Sequence, residues 1–133
     1  MTVAVLADTG PLYALVDPSD QYHARSREQA RHIERQRSTV LVAYPTLLEC
    51  YTLVLRRLGG PVAGSWLREI RDSCGLINPT TLDYSEAFGL AAKYPDQGIT
   101  LFDAVVAVLG GRVAAPVWSY DWHFDVLKVA RWP

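Results

Sequence analysis

Residues 3–12, VAVLADTGPL, decide the fold class of this chain. Five consecutive apolar residues end at Asp8, and Thr-Gly-Pro follows directly. A continuous apolar run of this kind is typical of a strand that is covered on both faces of a parallel sheet. Asp8 then has three interpretations: an ordinary strand end or helix cap, the Asp-Thr-Gly acid of an aspartic protease, or an active-site acid at the carboxyl end of a strand in an α/β fold.

The remaining sequence alternates predicted strands with predicted helices. Strands are predicted over 3–7, 38–43, 74–80 and 116–119, and a last edge strand at KVARW, 128–132. Helices are predicted over 11–16, 20–37, 46–58, 62–72 and 85–93, and over 100–111, where Gly110 and Gly111 would close the helix; 120–127 would contain one helical turn. This alternation predicts βαβ units and an α/β fold with a mostly parallel sheet. Aspartic proteases are all-β, so the pattern argues against that interpretation of Asp8.

Composition limits the classes of protein that this chain can represent. Its 133 residues are 50% hydrophobic, which is enough for one domain spanning 1–133. Thirteen basic and fourteen acidic residues nearly cancel, so net charge neither indicates nor excludes a nucleic-acid partner. Only two cysteines occur, and neither an apolar run long enough for a membrane span nor the basic start of a signal peptide is seen. We therefore expect free thiols, no membrane association and a cytoplasmic location.

Four acidic residues stand out because of their surroundings. Asp8 follows the first strand, Glu49 is the only charged residue between Val40 and Leu55, Asp103 interrupts an apolar helix, and Asp121 follows the strand at 116–119. Because the carboxyl ends of parallel strands meet at one edge of a sheet, we expect these acids to converge.

Each acid also has an ordinary structural explanation. Asp8 can cap a helix, Glu49 can pair with Arg56 or Arg57, Asp103 can favour a helix N-terminus, and Asp121 can belong to a turn. Together they are harder to dismiss, because crowded carboxylates require a compensating charge. An all-oxygen donor set favours Mg²⁺ or Mn²⁺ over zinc, and such a site suits phosphodiester hydrolysis. The three histidines are interpreted as surface or turn residues, His123 included.

The same residues carry a resemblance that covers nearly the full chain. Asp8-Thr9 after the first strand, Glu49 in PTLLECYTLVLRR, Asp103 in ITLFDAVVA and Asp121 in WSYDWHFDVL resemble the PIN-domain family, in particular the toxin ribonucleases of the VapC type. The resemblance implies a three-layer α/β/α fold and a metal-dependent endoribonuclease that binds Mg²⁺ or Mn²⁺ through the four acids. Our hypothesis for the reaction is attack of metal-bound water on the phosphorus, which expels the 3′ oxygen and leaves a 5′-phosphate.

Further implications concern supporting residues and partners. Thr9 and Ser119 match small hydroxyl positions beside the first and last acids, although Thr9 can equally be a helix cap. His123 stands where some family members have a further acid, so that Asp125 is at most a weak contributor and a second metal is in doubt. Family members usually pair with a small antitoxin that can place a basic side chain in the acidic site, and they commonly form homodimers.

RNA would also need contacts outside the acidic site. Five arginines between Arg25 and Arg37, together with Arg56, Arg57 and Arg112, are candidates for phosphate contacts, although the first group is also typical of a solvated helix face. Trp118, Tyr120 and Trp122 flank Asp121 and could stack on bases if they are exposed. Two other functions stay open: a catalytically silent module that binds RNA or protein, and a phosphoacceptor receiver, for which the early acid pair is lacking.

Overall fold

Four short strands and seven helices alternate along residues 3–132, the part of the chain that the computed structural model describes. In chain order they are β1 (Ala4–Ala7), α1 (Thr9–Ala14), α2 (His23–Arg35), β2 (Thr39–Ala43), α3 (Tyr44–Leu58), α4 (Gly60–Ser73), β3 (Gly75–Ile77), α5 (Thr81–Ala92), α6 (Leu101–Arg112), β4 (Val117–Trp118) and α7 (His123–Val126). No helix in this range combines the length and apolar character that a membrane span requires.

The strands form one parallel sheet in the order β3-β2-β1-β4. Strands β2 and β3 therefore follow in turn on one side of β1, and β4 pairs with the other side of β1. This reversal of strand order between β1 and β4 opens a crevice at the carboxyl ends of these two strands, which is where α/β proteins bind ligands.

Helices cover both faces of the sheet. Val5 and Ala7 of β1 point into a core that α1 to α4 share, whereas Leu6 points into a second core that includes α5, α6 and α7. All three residues are fully buried, which explains why β1 is continuously apolar rather than alternating. The predicted three-layer α/β/α fold with a parallel sheet is confirmed, and the all-β aspartic-protease interpretation of Asp-Thr-Gly is excluded.

Several element boundaries differ from the sequence prediction for local reasons. Helix α2 starts at His23 rather than Asp20, because the Asp20 carboxylate accepts a hydrogen bond from the Tyr22 N–H (2.8 Å) and holds a turn there. The predicted strand 128–132 is reduced to a single parallel bridge between Arg131 and Val117, since β4 has only two residues with which to pair.

The glycine pair does not end α6 as predicted, because the helix continues to Arg112. Gly110 is buried, and a Cβ there would lie 3.2 Å from the Ala115 carbonyl oxygen and 3.2 Å from Val117 Cγ2. A Cβ at this position would therefore have to displace neighbouring atoms by a few tenths of an ångström where α6 approaches β4. Gly111 is exposed, and no atom lies within 4 Å of a Cβ built on it.

Alanine substitutions at Gly110 and Gly111 should change the free energy of unfolding in opposite directions. Gly111→Ala should raise the free energy of unfolding by about 0.5 kcal/mol, because alanine loses less backbone entropy in a helix. Gly110→Ala should lower it, because the neighbouring atoms belong to backbone and to a buried strand. Urea denaturation of both variants measures the difference, and equal stabilisation by both would contradict the tight packing inferred at Gly110.

Candidate active site

The crevice between β1 and β4 continues into an open cleft of about 1000 Å³. Six of the seven residues that the sequence analysis singled out lie in its lining: Asp8, Thr9, Glu49, Asp103, Ser119 and Asp121. They come from the segments that follow β1 and β4, from the first turns of α1 and α6, and from the second turn of α3. The topology thus assembles one acidic cleft from residues that are far apart in sequence.

Asp8 lies at the boundary between β1 and α1. Its side chain makes no capping hydrogen bond to α1. Instead, Oδ2 accepts a hydrogen bond from Ser119 Oγ at 2.8 Å, and the Asp8 N–H donates to the Trp118 carbonyl at 2.9 Å. The capping interpretation of Asp8 is therefore wrong, and its carboxylate is directed toward the neighbouring strand end.

Burial in the cleft raises the pKa of Asp8 from 3.8 to about 6. The Ser119 hydrogen bond opposes this shift, while the carboxylates of Asp103 and Glu49 add to it. The ionised form of Asp8 is thus destabilised by its surroundings, as expected where a carboxylate lacks a nearby cation.

Glu49 projects from the second turn of α3 toward α1. Its Oε1 accepts a hydrogen bond from the Thr9 hydroxyl. The Thr9 hydroxyl therefore positions a carboxylate, and among residues 3–132 Glu49 forms no ion pair with the Arg56 or Arg57 to which it was alternatively assigned. The adjacent Cys50 is buried, and burial raises the pKa of its thiol to about 12, so this thiol is protonated at neutral pH and is a poor nucleophile.

Asp103 has a structural role as well as a place in the cleft. It is the third residue of α6 and forms a capping box, in which its backbone N–H donates to Thr100 Oγ1 (3.1 Å) and its Oδ2 accepts from the Thr100 N–H (3.3 Å). The side chain is buried, and burial raises its pKa despite these bonds, with the nearby Asp121 contributing to the increase. The helix thus fixes the orientation of a carboxylate that remains difficult to ionise.

Asp121 is the fourth acid of the cleft, and His123 lies beside it. The Asp121 N–H donates to Ser119 Oγ (2.9 Å), so that one hydroxyl connects Asp8 with the Asp121 backbone. Asp121 Oδ1 accepts from the His123 N–H (2.9 Å), which is the turn role expected of this residue. One carboxylate oxygen of Asp103, one carboxylate oxygen of Asp121 and one ring nitrogen of His123 all lie within 4.8 Å of one another.

His123 is the residue that the sequence interpretation missed. It was assigned to the surface or to a turn, but its side chain is only 18% exposed and its Nδ1 lies 2.9 Å from Asp121 Oδ1 and 3.6 Å from Asp103 Oδ2. The spacing Asp-x-His directly after a strand was the available signal. A histidine in a polar turn is usually solvated, so this pattern is a weak signal on its own.

Asp125 and Arg112 were predicted to contribute to the site, but each pairs with a residue outside the cleft lining. Asp125 lies outside the cleft lining, is 64% exposed and pairs with Arg131 at 3.0 Å. Arg112, a candidate for phosphate contacts, is held by a bidentate bond to the buried Asp83 with N–O distances of 2.9 and 2.8 Å, and this bond lowers the pKa of Asp83. Neither residue is therefore available to the cleft.

Cationic and aromatic side chains surround the acidic centre. Exposed Arg56 and Arg57 of α3 line the cleft, as do Tyr22 and Tyr120, whose ring centroids are 4.5 Å apart. Arg25 lies over the Tyr120 ring at 4.8 Å. The cleft thus offers positive charge for phosphates and aromatic faces for bases.

The remaining candidates for RNA contacts differ in exposure. Trp118 is buried and donates to Gln29 (2.9 Å), so it is not free to stack on a base, whereas Trp122 is 55% exposed. On α2, Arg31 and Arg35 both approach Glu28 in open solvent, at 3.6 and 3.8 Å. These two arginines match the alternative interpretation of a solvated helix face.

Comparison with known proteins identifies the fold. No family model matches the sequence, and no curated protein matches it significantly. Among solved structures, the chain is similar to the Mycobacterium tuberculosis toxin VapC20, which cleaves the sarcin-ricin loop (TM-score 0.82, 17% identity, 96% of this chain and 98% of the other covered). It is also similar to VapBC2 of Rickettsia felis bound to a promoter DNA fragment (0.76, 11%, 97% and 96%) and to DNA-bound VapBC of Salmonella typhimurium (0.72, 13%, 98% and 96%).

These similarities extend over almost the whole chain. The resemblance to VapC-type PIN domains predicted from the sequence is therefore confirmed at the level of the fold. At 11 to 17% identity, they do not by themselves transfer activity, so the function has to be argued from the cleft.

Asp8→Asn should stabilise the metal-free protein in a pH-dependent way. The pKa of Asp8 is raised in the folded state, so its charge opposes folding increasingly between pH 3.8 and pH 6 and fully above pH 6, and the effect disappears well below pH 3.8, where the residue is protonated in both states. We expect the variant to gain about 1 to 2 kcal/mol at pH 7.5 and little at pH 3.5, measured by denaturation in EDTA. Asp125→Asn is the control with little change, and an unchanged stability of Asp8→Asn at pH 7.5 would contradict the crowding of charge described above.

Proposed function

We propose that this protein is a metal-dependent endoribonuclease that hydrolyses RNA phosphodiester bonds as the toxin of a toxin–antitoxin pair. The proposal rests on one observation. Carboxylates from four separate elements, Asp8, Glu49, Asp103 and Asp121, converge on an open cleft, and within residues 3–132 no lysine or arginine forms an ion pair with any of them. The toxin VapC20, with the same fold, cleaves the sarcin-ricin loop, which supports RNA as the substrate class.

The donor set fits a hard divalent cation. Asp8, Glu49, Asp103 and Asp121 would hold Mg²⁺ or Mn²⁺, which favour carboxylate oxygens. The raised pKa values of Asp8 and Asp103 are the expected signature of carboxylates whose natural counter-charge is a cation. When bound, such an ion supplies activation of water and neutralisation of phosphate charge for hydrolysis.

The protein itself positions the ligands and the substrate. Thr9 and Ser119 donate their hydroxyl hydrogens to Glu49 and Asp8, which restricts the rotation of both carboxylates before any ligand arrives. Arg56 and Arg57 would bind the RNA backbone beside the acidic centre, since both are exposed in the cleft lining. Tyr22 and Tyr120 would stack on unpaired bases, which favours single-stranded or looped RNA over a regular duplex.

The proposed partners are an antitoxin and a second copy of the chain. Structures with this fold include VapBC complexes, which supports a small antitoxin; a basic side chain from it would suit the acidic cleft and block RNA. Exposed apolar residues lie on α3, α5 and the start of α6: Tyr44, Leu48, Leu55, Leu82, Phe88, Leu101 and Phe102, of which Leu48 and Phe102 also line the cleft. Helix α6 packs against both α5 and α3, and an apolar surface of this kind suits a homodimer that acts in the cytoplasm.

The competing function is a silent module of the same fold that binds RNA or protein without cleaving it. Such a module would show RNA affinity without turnover when metal is added. The convergence of four carboxylates favours the nuclease, because an acidic cleft without a cation repels RNA.

Purified protein should cleave a mixed RNA pool only when Mn²⁺ or Mg²⁺ is present and should leave 5′-phosphate ends. Asp103→Asn keeps the side-chain shape but removes a ligand charge, so its rate should fall by about 100-fold or more, which corresponds to about 3 kcal/mol in the barrier. Asp125→Asn is the matched control and should retain the wild-type rate. Full activity in Asp103→Asn would refute the proposal, and metal-dependent RNA binding without cleavage would support the silent module.

The dimer is tested by the molar mass in solution. We expect light scattering to give twice the chain mass for the wild type and the chain mass for Phe88→Glu, because a buried glutamate would destabilise the apolar interface. Trp122→Glu, which changes an exposed aromatic residue elsewhere, should stay dimeric. A monomeric wild type would contradict this assignment of the apolar surface.

A further inference from the structure

His123 carries a buried polar atom that the protein does not satisfy. Its Nδ1 is inaccessible to solvent and has no hydrogen-bond partner among residues 3–132. Two carboxylate oxygens are close, Asp121 Oδ1 at 2.9 Å and Asp103 Oδ2 at 3.6 Å, but neither lies in the direction in which an Nδ1–H would point. An unsatisfied polar atom of this kind is costly unless a ligand completes it.

The other ring nitrogen determines which atom Nδ1 presents. His123 Nε2 lies 2.9 Å from the Gln97 carbonyl oxygen, which can only accept a hydrogen bond, so Nε2 carries the hydrogen. In the neutral imidazole, Nδ1 then presents a lone pair to the cleft. A lone pair beside two carboxylates is repulsive unless a cation lies between them, and donation from the second nitrogen to a backbone carbonyl is the usual arrangement of a metal-binding histidine.

We propose that His123 Nδ1 is a ligand of the cleft cation, beside Asp103 and Asp121, and that this nitrogen biases the site toward Mn²⁺ and other first-row transition ions over Mg²⁺. The Gln97 carbonyl is the positioning group that fixes the tautomer. Imidazole nitrogen is a better ligand for transition ions than for Mg²⁺, which prefers oxygen alone. This inference rests on the proposed metal-dependent function and adds to it a nitrogen ligand and a metal preference.

The test compares metal affinity and ligand identity rather than activity. His123→Asn should lower the affinity for Mn²⁺ by about ten-fold or more, measured by calorimetry, and should leave the affinity for Mg²⁺ within about three-fold. Pulsed electron paramagnetic resonance of Mn²⁺ bound to protein labelled with ¹⁵N-histidine should show a nitrogen coupling that His123→Asn abolishes. His32→Asn, on α2 and outside the cleft lining, is the matched control and should change neither readout. His123→Ala provides a second variant if the asparagine variant does not fold.

The possible results separate this inference from the function on which it rests. A Mn²⁺ affinity that falls selectively, together with loss of the nitrogen coupling, supports His123 as a ligand. An unchanged Mn²⁺ affinity, or an equal fall for both ions without a nitrogen coupling in the wild type, overturns the inference; the metal-dependent function survives if Asp103→Asn still abolishes binding. A wild-type protein that binds neither ion overturns both.

Discussion

Crowding of negative charge at the carboxyl ends of β1 and β4 is the constraint around which the rest of this structure is arranged. The pKa of Asp8 is raised to about 6, chiefly by burial, and the carboxylates of Asp103 and Glu49 contribute to this increase. A fold gains no stability from such an arrangement without a cation. The acids are therefore explained by ligand binding more readily than by folding, and sites of this kind are typical of catalytic centres.

The surrounding protein holds this unfavourable arrangement in place. Two hydroxyl groups restrict carboxylates, Thr9 on Glu49 and Ser119 on Asp8, and the capping box of Thr100 fixes Asp103 at the start of α6. Thr9 and Asp103 lie in the first turns of α1 and α6, and Ser119 directly follows β4. The cleft is thus preorganised, so the proposed binding of a cation and a phosphodiester would need little rearrangement.

The sequence was sufficient for the fold and for the convergence of the acids, because both follow from periodicity and from the geometry of parallel sheets. A fully apolar β1 required cover on both faces, and acids after parallel strands had to meet at one edge. What could not be predicted depends on tertiary contacts. Gly110 lets α6 approach β4 closely, and the Arg112 side chain is held by its bond to Asp83.

His123 was interpreted as a surface or turn residue, but its ring lies beside Asp103 and Asp121. The turn in which Asp121 Oδ1 accepts from the His123 N–H brings the ring back toward Asp103, and this reversal depends on backbone geometry that the sequence does not display. The pattern Thr-x-x-Asp at 100–103, by contrast, was a readable capping box, and it shows that one residue can serve both a helix end and a site. A structural explanation for an acid therefore does not exclude a functional one.

The central claim is that one cation binds where these carboxylates converge, and anomalous scattering from crystals soaked in Mn²⁺ tests it most directly. The account predicts an anomalous peak in the cleft, within coordination distance of carboxylate oxygens of Asp8, Glu49, Asp103 and Asp121. A peak confined to other acidic residues, such as Asp125, or no peak at a Mn²⁺ concentration that supports RNA cleavage, would contradict it.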